Sequence, residues 1–95
     1  MGEPAGPKGF DTIVFAAKLR GARAVLGWTQ TQLGKKAGLT QRAIYRIEIA
    51  ASEARQDTRS RIENVLKDAG IDFEDVPNGG FRMFVSQRVL TKRRR

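Results

Sequence analysis

Gln41, Arg42, Tyr45 and Arg46 place four long hydrogen-bonding side chains within six residues of sequence. On a helix advancing 100° per residue they share one arc of about 140°, while Ala43, Ile44, Ile47 and Glu48 occupy the opposite side. Arginine and glutamine carry planar, two-pronged groups that match the edges of guanine and adenine, and an α-helix fits the DNA major groove. A helix with one dry face and this polar face has the composition needed to read base edges. Without a frame to hold it, the same face is ordinary solvated surface, so the flanking elements decide its meaning.

The flanking sequence supplies such a frame. Thr40 is a suitable N-cap for a helix running from Gln41 to about Ile49. Gly38 permits the positive φ of a tight corner before it, and Gly34 lacks a side chain, which lets this helix approach the preceding one closely. That preceding helix spans roughly Gln30 to Ala37, buries Leu33 and Ala37, and opens on a capping box formed by Thr29 and Gln32. A longer helix from about Thr12 to Leu26 comes first, with Phe15, Leu19, Ala22 and Leu26 on one apolar stripe and Gly27 as its stop. Trp28 reads as a core-edge residue. The run "IEIAAS" continues helix-compatible past Glu48, so the third helix is expected to extend. A fourth spans roughly Gln56 to Ala69, buries Ile62, Val65, Leu66 and Ala69, and is closed by Gly70.

Beyond Gly70 the pattern changes. "IDFED" and "FRMFV" have strand-like alternation, and Asn78-Gly79 between them is a strong turn signal. Phe81, Met83 and Val85 share one face of the second strand, with Arg82 and Phe84 on the other. Phe81, Met83, Phe84 and Val85 are too apolar for a free strand edge, and are explained by dimerisation or by hairpin packing on the fourth helix. The expected organisation is a flexible leader (1–11), a helix-turn-helix domain (12–70), a strand segment for dimerisation (71–87) and a basic tail (88–95). The fold class is mainly α: four helices followed by a short C-terminal strand or hairpin.

Composition narrows the chemistry. Ninety-five residues suffice for one domain with one modest core. No cysteine or histidine is present, which excludes disulfides, zinc fingers and His-based acid–base or nucleophilic catalysis. Neither an enzyme nor a cofactor is expected. Eighteen basic against ten acidic residues give a net charge of +8, and a chain so basic attracts polyanions, nucleic acid first. Residues 12–49 hold seven of the cations against Glu48 alone. The tail "TKRRR" is open to two readings, a solvated charge run or an arm along phosphates. No apolar run spans a bilayer, and "MGEPAGPKGFD" lacks the pattern of a signal peptide.

The segment "WTQTQLGKKAGLTQRAIYRIE" resembles the helix-turn-helix of the phage-repressor/Cro family, also called the XRE family. The matching features are Gln30 opening the second helix, the small Gly34, Ala37-Gly38, Ile44 and Ile47-Glu48, and the similarity covers about Thr12 to Gly70. The resemblance implies a DNA-binding transcriptional regulator, more a repressor than an activator, of bacterial or mobile-element type and cytoplasmic. It implies that Gln41, Arg42 and Arg46 read base edges, and that Gln30 contacts phosphate. Tyr45 is placed beside them, on a phosphate or a thymine methyl. Thr29, Lys36 and Thr40 are further candidates for the DNA backbone, Thr40 also being explained as a cap alone. The family pattern further implies an ion pair between Arg23 and Glu48. Some small members pair a C-terminal strand across a dimer axis, which implies a homodimer on double-stranded DNA. Two rivals stand beside this reading. One is an antiactivator or antitoxin-type regulator that binds a protein partner on the same scaffold; the other is a non-specific nucleic-acid binder.

Overall fold

A computed structural model describes residues 9–93, so most of the expected leader and the last two arginines lie outside the described residues. Five helices and one hairpin follow in the order α1 (Phe10–Leu26), α2 (Gln30–Ala37), α3 (Gln41–Glu48), α4 (Gln56–Ala69), β1 (Ile71–Asp75), β2 (Phe81–Val85) and α5 (Gln87–Arg93). The expected stripe of α1 is buried at Phe15, Leu19 and Ala22, with Leu26 half-buried at its end. These residues meet Leu33 and Ala37 of α2, Ile44 and Ile47 of α3, and Ile62 and Leu66 of α4 in one core.

The corner between α2 and α3 depends on two glycines. Gly38 sits at φ 72°, and its N–H returns to the carbonyls of Gly34 and Lys35. A Cβ on Gly34 would lie 2.6 Å from the carbonyl oxygen of Leu39, inside any tolerable contact. The close approach is thus between α2 and the backbone of the turn rather than between α2 and the body of α3. Thr29 and Gln32 form the reciprocal capping box, and Thr40 accepts the Ala43 N–H at 3.0 Å.

The structure corrects the sequence reading at one point, decides at a second between the strand and the hairpin it had left open, and adds a helix at a third. First, α3 does not extend: it ends at Glu48, and Ala50 turns the chain at φ 59°. An L-residue with a Cβ is disfavoured there by about 1–2 kcal/mol, whereas glycine is not. Ala50→Gly is therefore expected to stabilise the protein by about 1 kcal/mol, after allowance for the greater chain entropy of glycine when unfolded. The gain should appear as a higher urea midpoint at unchanged slope.

Second, the two strands pair with each other, antiparallel, with Phe73 opposite Met83 and Asp72 opposite Phe84. Phe73, Met83 and Val85 pack against the core of their own chain, and Phe73 meets Phe81 edge-on at 5.8 Å between ring centroids. Intramolecular packing accounts for the apolar character of Phe81, Met83 and Val85. Phe84 alone of the four faces outward, 51% exposed. The hairpin is fastened to α1 by Lys18, buried beneath the rings of Phe73 and Phe81 and paired with Asp75 at 2.8 Å.

Third, the start of the basic tail is helical. α5 buries Val89, and Arg88 donates to the Asp68 carbonyl at 2.8 Å near the end of α4. Residues 88–92 are thus helical, with Val89 buried against the domain and Leu90, Thr91 and Lys92 exposed.

Candidate nucleic-acid interface

The polar face of α3 is outward, as its periodicity requires. Gln41, Arg42, Tyr45 and Arg46 are exposed, while Ile44, Ile47 and Glu48 are buried on the reverse side. The anchor of this arrangement is Glu48, 2% exposed. Its carboxylate accepts Arg23 Nε at 2.7 Å, Arg23 Nη2 at 3.0 Å and Gln30 Nε2 at 3.0 Å. Arg23 also donates through Nη1 to the Trp28 carbonyl at 2.9 Å. The hydrogen bonds from Arg23 to Glu48, aided by the charge attraction and opposed by partial burial, raise the guanidinium's pKa above its usual value. Arg20, one turn earlier on α1, donates to the Glu48 backbone carbonyl and so holds the end of α3.

A relay runs outward from this buried pair. Gln30, fixed by Glu48, presents its carbonyl oxygen to Gln41 Nε2 at 2.7 Å. The first side chain of α3 is thereby oriented from the protein interior through two amides. Next to it, Arg42 has no hydrogen-bond or ion-pair partner among the described residues, so its guanidinium fork is available. Preorganisation of one group beside a free bidentate donor is a suitable arrangement for reading adjacent base pairs.

The other expected residues divide. Thr29 and Thr40 use an oxygen lone pair in capping, which leaves each hydroxyl proton free to donate to a phosphate oxygen. Tyr45 is 44% exposed on the polar face of α3. Arg46 turns back: its Nε donates to Ser52 Oγ at 2.9 Å and its Nη2 reaches toward the Ala51 carbonyl at 3.5 Å. It must release the loop after α3 before it can point into a groove. Lys36 is not gathered with the rest. Its ammonium stands over the Trp28 ring at 4.9 Å, and its position is about 120° around α2 from Gln30.

Sequence reasoning did not identify Arg20 or the Gln30–Gln41 bond. Arg20 carried a signal, since it lies three residues before Arg23 on the same side of α1. The amide pair carried none, because it depends on the angle between α2 and α3. No helix among the described residues is long and apolar enough to cross a membrane.

The search of curated proteins finds none that matches this chain. A helix-turn-helix family model matches residues 19–69, more than half of the sequence, and spans every element of the relay from Arg23 to Glu48. The chain belongs to the XRE-type helix-turn-helix family of DNA-binding regulators.

Proposed function

We propose that this protein is a dimeric repressor that reads an inverted-repeat operator through α3. The observation that carries the reading is the relay from buried Glu48 through Gln30 to Gln41, with unpaired Arg42 beside it. Gln41 and Arg42 read base edges, Tyr45 touches a phosphate or a thymine methyl, and Arg46 joins them after leaving Ser52. Thr29, Thr40 and the amide of Gln30 position the helix on the sugar–phosphate backbone, which sets register rather than sequence. A two-fold dimer places its recognition helices in successive major grooves, roughly 34 Å apart. Outward-facing Phe84, on a hairpin strand whose other edge has no strand partner among the described residues, supports a dimer contact through this segment. Occupancy of a promoter then blocks transcription by exclusion.

The test is selection of bound sequences from a random duplex pool at about 150 mM salt, near physiological ionic strength. Enrichment of an inverted repeat with half-site centres about one helical turn apart is the expected result. Folded protein that enriches nothing, while still binding duplexes weakly, would overturn the proposal in favour of a non-specific binder.

A further inference from the structure

A cleft of about 560 Å³ lies where α1, α2, α4 and α5 converge. That is within the size range of small-molecule sites. Its floor is apolar and aromatic, formed by Leu26, Trp28, Val65 and Val89. Lys36, Arg88 and Lys92 also line it, against a single carboxylate, that of Asp68. Two of these cations are held in place. Lys36 stands over the Trp28 ring, and Arg88 is pinned through Nη2 to the Asp68 carbonyl, which leaves its remaining N–H groups free to donate. Lys92 follows Arg88 by four residues on α5, so the two share one side of that helix.

We infer that this cleft binds a small amphipathic organic anion, an alkyl or aryl carboxylate. Its apolar body lies on Trp28, Leu26 and Val65, and its carboxylate meets the cations supplied by α2 and α5. An apolar ligand without charge would leave those cations unengaged, and a cationic one would face a net repulsion. Apart from Lys36, which the sequence offered as a candidate for the DNA backbone and which stands over Trp28, the site uses none of the residues proposed above to touch DNA, so it stands or falls separately from the operator reading.

Trp28 is the sole tryptophan, and its selectively excited emission reports occupancy directly. The full-length protein is titrated, without DNA, with octanoate, octanol and octylamine, three ligands of one chain length and different head groups. Octanoate is expected to shift the emission saturably and to bind about tenfold or more tightly than octanol, as a charge-assisted hydrogen bond predicts. Octylamine is expected to bind weakest. In the Arg88→Gln/Lys92→Gln double variant, which changes only exposed side chains and leaves Lys36 in place, octanoate affinity should fall severalfold toward that of octanol while octanol is unaffected. The inference is overturned by equal affinity for octanoate and octanol, by an unsaturable response, or by a double variant that binds octanoate as tightly as the parent.

Discussion

Arg23→Ala is expected to lower the unfolding free energy by about 3–5 kcal/mol, the range for stranding one member of a buried ion pair. The larger effect belongs to this substitution rather than to Glu48→Ala, because the two partners are unequally buried. The Glu48 side chain is 3% exposed and that of Arg23 is 26%. Without Arg23, the carboxylate keeps only the Gln30 amide and has almost no access to water. Without Glu48, Arg23 keeps its bond to the Trp28 carbonyl, and solvent reaches part of its guanidinium. Glu48→Ala should therefore cost less, about 2–3 kcal/mol. The double variant should be less destabilised than the sum of the two, since neither charge is left alone. Denaturant titration of all four proteins checks this, and a coupling energy near zero would remove the pair from its structural role. Against a total stability of about 5–15 kcal/mol, the loss is a large fraction.

The pH dependence of this contribution follows from its sign. Arg23 is raised above its unfolded value, so the stabilisation it carries is fully present below that value and is lost only as pH rises through the folded one. Both lie far into the alkaline range. The pair is consequently a fixed clamp at every neutral pH where DNA binding is measured, and not a switch.

The frame around the interface was legible in the sequence because it rests on local rules. Thr29, Gln32, Thr40 and Gly38 act through bonds within a few residues, and the two strands are joined by Asn78-Gly79, whose geometry is equally local. Arg23 with Glu48 was legible only through resemblance, since nothing in the spacing of residues 25 apart brings them together. Lys18 was legible and overlooked: it stands three residues after Phe15 and one before Leu19, on the apolar stripe itself. The turn at Ala50 was hidden because alanine favours helix, and tertiary contacts overrode that preference. α5 was hidden because Val89, which it buries, sits among charges that read as a solvated tail. The side on which Lys36 emerges depends on how α2 packs, and short-range pattern does not specify that.

Arg42→Ala and Gln41→Ala test whether this frame serves sequence reading. Each good bidentate contact to a base edge discriminates by about 1–3 kcal/mol, so each substitution should reduce the preference for the selected operator by about 5–150-fold for each half-site. Affinity for unrelated duplexes should change little with Gln41→Ala, which removes no charge. With Arg42→Ala the salt slope should shallow by about one unit per subunit at most. Arg46→Ala should have a smaller effect than Arg42→Ala, because Arg46 must give up Ser52 to reach DNA and its contact is worth only the difference. Gln30→Ala supplies the decisive comparison. It leaves Gln41 present but untethered and also removes the proposed phosphate donor, so it should weaken operator and unrelated duplexes together, with an added loss of preference at the base pair Gln41 is proposed to read. Binding isotherms for the four variants on operator and scrambled duplexes separate these outcomes. Retention of the full operator preference by the Gln41→Ala/Arg42→Ala double variant would mean that α3 does not read sequence through its first two residues.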